Sequence, residues 1–90
     1  VNVRYQRSQN VLVGTVGTET VLMGMEVESY FALNRTAGVM WELLAHPITR
    51  EALTEGLLAR YRVSPDNCAR EVDQFLTQLV ARRLVMPVPD

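Results

Sequence analysis

Ninety residues with 48% hydrophobic and 21% charged side chains fit one small folded domain and exclude a disordered chain. Nine Arg, no Lys and ten acidic residues leave a net charge of −1, so no global positive field draws the chain to nucleic acid. One Cys and one His exclude an intramolecular disulfide and any multi-cysteine or multi-histidine metal site.

No apolar run approaches the length of a membrane span, and no basic-then-apolar signal segment precedes the fold. A cytoplasmic setting is therefore the expectation, with no cofactor implied. The segment 1–10 is polar, carries Arg4 and Arg7, and reads as a loose lead-in or an irregular edge. The folded core is expected over about residues 11–85 of a single domain spanning 1–90.

Val11-Leu12-Val13 opens a first strand that fades into Gly14-Thr15-Val16. Gly17-Thr18 suits a tight turn, because glycine tolerates positive φ. Thr20 to Met23 forms a second strand, and Gly24 to Val27 a turn or bulge. Glu28 to Leu33 forms a third strand that alternates, with Phe31 and Leu33 on one face and Glu28 and Tyr30 on the other. Three short strands with hairpin-length links make an antiparallel meander.

Asn34 ends the third strand and caps a helix over about Arg35 to Ala45, where Ala37, Met40, Trp41 and Leu44 share a face. Pro47 closes this segment, and Thr49 caps a second helix with Leu53, Leu57 and Tyr61 as its inner stripe. Ser64-Pro65 starts a third helix with an apolar stripe of Ala69, Val72, Leu76, Leu79 and Leu84. The tail Val85 to Pro89 is extended. The order is a three-stranded antiparallel sheet followed by three helices, an α+β fold with helix-turn-helix character.

The run Tyr30-Phe31-Ala32-Leu33-Asn34-Arg35-Thr36, followed by Trp41-Glu42-Leu43-Leu44, resembles the signature of the PqqD-like family. Leu57-Leu58-Ala59-Arg60-Tyr61-Arg62-Val63 and Val72-Asp73-Gln74-Phe75-Leu76 continue the likeness. Two departures stand out. The family's Thr-Gly is Thr36-Ala37 here, and its Gly-Leu-Val is Arg83-Leu84-Val85. An Arg at that helix C′ position carries a cost, since the site often wants positive φ.

The resemblance implies a winged helix-turn-helix-like RiPP recognition element, most like the discrete leader-binding proteins of lasso-peptide biosynthesis. Such a protein is not an enzyme. It holds the leader of a ribosomally made precursor peptide and presents the precursor to a cysteine-protease-type leader peptidase and a macrolactam cyclase. The implied groove lies between the third strand and the third helix. Mapped onto this chain, the strand supplies Val27, Glu28, Ser29, Tyr30, Phe31, Ala32 and Leu33, and the helix supplies Cys68, Glu71, Val72 and Phe75. An extended peptide would join the strand's edge as a further strand. Ser29→Pro is the substitution that tests this pairing at the level of sequence.

Plainer readings stand beside these. Trp41 at helical spacing is a core residue. Cys68 is a small hydrophobe, and the single His46 leaves it no base for nucleophilic chemistry. Tyr30 is either a half-buried sheet residue or a peptide contact, and Arg82-Arg83 is a solvated helix end suited to the helix dipole. Two other functions remain open. One is a DNA-binding winged helix, against which the acidic Asp66, Glu71 and Asp73 on the third helix argue. The other is a subunit that docks an enzyme without gripping peptide.

Overall fold

A computed structural model of the chain describes residues 3–25 and 29–89. Its elements run β1 (Val3–Arg7), β2 (Val11–Val16), β3 (Glu19–Gly24), β4 (Ser29–Leu33), α1 (Arg35–Leu43), β5 (Ile48–Thr49), α2 (Arg50–Leu58), α3 (Pro65–Ala81) and β6 (Val85–Pro89). The expected α+β class and the three helices are present. The strands, however, form two three-stranded sheets, ordered β2-β3-β4 and β5-β1-β6, in place of one meander.

The second sheet corrects the reading of the chain's two ends. The segment expected to be a loose lead-in is the central strand of that sheet. β1 pairs antiparallel with β6 from Val3↔Pro89 to Arg7↔Val85, and with β5 through Arg4↔Thr49 and Tyr5↔Ile48. Local patterns do not reveal a partner so distant in sequence. The tail expected to be extended is β6, and its Pro87 and Pro89 are accommodated because β6 is an edge strand, where a missing N–H costs no ladder bond.

The meander is built as expected. β2 and β3 meet across Gly17-Thr18, and Gly17 has φ 63° while Thr18 does not enter the positive region. Positive φ at the first central residue is the type II′ hairpin turn, whose twist matches the flanking strands. The three expected caps also form. Asn34 Oδ1 accepts from Ala37 N (2.8 Å), Thr49 Oγ1 from Ala52 N (3.1 Å) and Ser64 Oγ from Asn67 N (3.2 Å). Each satisfies one backbone donor that the first helical turn would leave unpaired.

The core lies between the helices and the inner face of the meander. Leu22 and Leu33 meet Met40, Trp41 and Leu44 of the α1 segment, Leu53 and Leu57 of α2, and Val72, Leu76 and Leu79 of α3. The α3 stripe differs from expectation in that Cys68 is buried in place of Ala69, which is exposed, and Phe75 joins the buried face. The 4-3-4 spacing of Cys68, Val72, Phe75 and Leu79 keeps to one helical face, whereas Ala69 falls beside it. Gly56 brings α2 close to α1, for a Cβ there would sit 2.8 Å from Leu43 Cδ1.

Two arginines tie the β1 sheet to the helices. Arg7 donates through Nε (3.1 Å) and Nη2 (2.6 Å) to the Trp41 carbonyl and stacks 4.5 Å from the Trp41 ring. Burial lowers the Arg7 pKa, and Glu42 opposes that shift. Arg50 donates to the Tyr5 hydroxyl (3.0 Å) and pairs with Asp73 of α3 (2.8 Å).

Candidate functional site

The phase of hydrogen bonding in the meander follows from its turn. A two-residue hairpin closes on a hydrogen-bonded pair, here Val16 and Glu19. Bonded and non-bonded pairs alternate along an antiparallel ladder, so Gly14–Val21 and Leu12–Met23 are bonded as well. The bond from Met25 N to Asn10 O (2.9 Å) continues the same phase. β3 therefore spends Glu19, Val21 and Met23 on β2, and Thr20, Leu22 and Gly24 on β4. Their partners Leu33, Phe31 and Ser29 turn their backbone groups inward.

That leaves Tyr30 and Ala32 with N–H and C=O groups directed away from β3. β4 is an edge strand, and no backbone bond joins these two residues to another described element. The edge carries neither proline nor charge, the usual guards against strand addition. By contrast, β6 at the margin of the other sheet carries two prolines.

Side chains alternate across the same strand. Phe31 and Leu33 point to the core side, and Tyr30 and Ala32 to the outer face, where Tyr30 is 61% exposed. Tyr30 thus stands as an exposed residue in a row with Met23 and Leu12.

α3 runs beside β4 in the opposite sense. Phe31 meets Phe75 edge to face, with centroids 6.4 Å apart at 78°. The Arg82 guanidinium lies 5.1 Å from the Phe31 ring, and Ser29 Oγ donates to the Arg82 carbonyl (2.9 Å). Helical geometry places Glu71, Phe75, Gln78 and Arg82 on one stripe. The space between this stripe and the β4 edge is the candidate groove, with Arg82 at its Ser29 end, Phe75 beside Phe31 and, by the direction of the helix, Glu71 toward the other end.

Of the residues expected at the site, Tyr30 and Ala32 are the exposed residues of the β4 edge, Ser29 and Phe31 contact α3, Glu71 shares the α3 stripe, and Phe75 and Leu33 are buried, each 5% exposed. Val27 and Glu28 lie outside the described residues. Cys68 and Val72 turn into the core, at 1% and 0% exposure, and present no surface to the groove. Cys68 Sγ donates to the Thr54 carbonyl (3.6 Å), and burial, reinforced by Glu71, pushes its thiol pKa up. A protonated, enclosed thiol is a packing group, not a nucleophile.

Gln78 and Arg82 were not expected here. Their signal was the spacing of three and seven residues from Phe75, hidden because Arg82-Arg83 reads equally well as a solvated helix end. Among the described residues no cluster of His, Cys, Asp or Glu could hold a metal ion, and no helix is long and apolar enough to cross a membrane.

Comparison with solved structures finds a similar fold in TbiB1 in complex with the TbiA(beta) leader peptide. The TM-score is 0.79 at 25% sequence identity, covering 94% of this chain and 99% of that one. No curated protein matches the chain. A family model described as coenzyme PQQ synthesis protein D, PqqD, matches residues 19–85. That match runs from the start of β3 to the first residue of β6, and the chain belongs to the PqqD family.

Proposed function

We propose that this protein is a non-enzymatic adaptor that binds the leader peptide of a ribosomally synthesised precursor. The leader joins β4 as a further strand beside α3. The bound precursor, in this reading that of a lasso peptide, is presented to a separate leader peptidase of the cysteine-protease type and to a macrolactam cyclase. The observation that carries the reading is the free, unguarded β4 edge flanked by α3, in a chain whose fold matches that of a leader-bound protein.

The magnitudes fit. Tyr30 and Ala32 offer two donors and two acceptors, and four bonds at ~0.5–1.5 kcal/mol net give about 2–6 kcal/mol. Two or three apolar anchors add roughly 3–9 kcal/mol. Ordering the leader costs about 2–5 kcal/mol, and association costs more. The balance corresponds to a Kd between nanomolar and micromolar, on the order expected of a peptide-recognition domain.

The test is fluorescence anisotropy of a labelled leader peptide from the protein's own precursor, titrated with the domain, with a labelled DNA duplex in parallel. Saturable leader binding at micromolar concentration or below, without a duplex response, is the expected result. A duplex response with none from the leader would replace this reading with the DNA-binding one.

A further inference from the structure

Beyond the Ser29–Arg82 contact the groove gives way to a cavity of about 630 Å³ between the two sheets and the end of α3. Its walls are uneven in chemistry. Gln6, Ser8, Gln9 and Asn10 are neutral hydrogen-bonding groups, whereas Val80, Val85, Met86 and Pro87 are apolar. Arg82 and Arg83 are its charged residues, and none of the described residues lining it is acidic. Neither arginine forms a salt bridge with a described carboxylate; the pair formed on α3 is Arg50–Asp73.

The backbone supplies a second observation. α3 ends in a Schellman motif, in which Arg83 N donates to Val80 O (3.0 Å) and Leu84 N to Leu79 O (2.9 Å). The motif puts Arg83 at φ 59°, a left-handed conformation that glycine adopts without strain. The left-handed position thus carries a charged side chain at the cavity wall where glycine would be the less strained residue.

We propose that this cavity is a second pocket of the peptide site and takes a carboxylate-bearing residue of the peptide lying along β4. The inference rests on the peptide-binding reading and adds its polarity. The carboxylate accepts from Arg82 and Arg83 at the Ser29 end of the groove, the apolar wall covers its methylene stem, and Glu71 at the Leu33 end disfavours the reversed arrangement. Guanidinium groups suit this role because they present paired donors to a carboxylate.

The experiment selects leader-length random peptides, displayed as messenger-RNA fusions, on the wild-type domain. Recovered peptides are expected to carry Asp or Glu at a fixed offset from an apolar strand-forming segment. Converting that acid to its amide should weaken binding to the wild type about tenfold, the scale of a charged hydrogen bond. Arg83→Gly should melt at a higher temperature yet bind the acidic peptide about threefold more weakly, and lose part of the sensitivity to the acid-to-amide change. Arg82→Gln with Arg83→Gly should abolish the acidic preference altogether. Binders without an acidic position, or an acid-to-amide loss equal in wild type and variants, would overturn the pocket and leave peptide binding intact. Recovery of no binder at all would overturn both.

Discussion

Single arginines carry much of this small protein's local organisation. Arg7 satisfies the Trp41 carbonyl in the last turn of α1 and stacks on the same residue's ring, so one side chain fastens β1 to the helix layer. Arg7→Met keeps the stem and removes both interactions, and should cost about 1–3 kcal/mol in urea unfolding. Arg83 works in the other direction. A left-handed residue costs roughly 1–2 kcal/mol, and glycine's extra freedom in the unfolded chain returns about 0.5–1 of that. Arg83→Gly should therefore stabilise the fold by up to about 1 kcal/mol, read as a higher urea midpoint at unchanged slope. The strain at Arg83 was legible in the sequence, because a C′ arginine stands where glycine is cheaper. The reach of Arg7 was not, since nothing local links a polar N-terminal residue to a carbonyl beyond thirty positions.

At the scale of elements, the meander and the helices follow from alternation, capping residues and the Gly17 turn, all of which act over a few residues. β1 and β6 do not, because their pairing depends on closure of nearly the whole chain. The candidate site divides along the same line. The β4 edge was visible as an alternating strand next to a cap. Which α3 residues face it was not, because Cys68 and Phe75 share a helical direction and only packing against Phe31 and Thr54 separates their roles. The phase of the ladder also revises the choice of test substitution. Ser29 turns its N–H toward Gly24, so Ser29→Pro breaks a bond inside the sheet as well as stiffening the edge. Ala32→Pro removes an outward donor instead. It should leave the far-ultraviolet circular dichroism of the fold unchanged and weaken leader binding by about tenfold or more in an anisotropy titration. Undiminished affinity in folded Ala32→Pro would move the peptide off this edge.

For the molecule as a whole, the two sheets make the ends structural. β1 is the middle strand of its sheet, holds β5 and β6 on either side, and contributes Tyr5 to the packing around the core. A chain beginning at Val11 should therefore lose cooperative unfolding in urea, even though it retains nearly all of the residues that face the proposed groove. The same architecture places β4, one of the two uncharged, proline-free edges of the meander, beside a helix whose charges run from acidic to basic, on a molecule with almost no net charge. Recognition then depends on local geometry and not on a long-range field, and moderate salt should change leader affinity only slightly beyond the contribution of Arg82 and Arg83.

Strand addition at β4 is tested most directly by amide hydrogen exchange, resolved residue by residue by NMR, with and without saturating leader peptide. In the free protein Phe31 and Leu33, bonded to β3, should be protected, and Tyr30 and Ala32 should exchange rapidly. With leader bound, Tyr30 and Ala32 should become protected together. Continued rapid exchange at both amides while the leader is demonstrably bound would contradict the account.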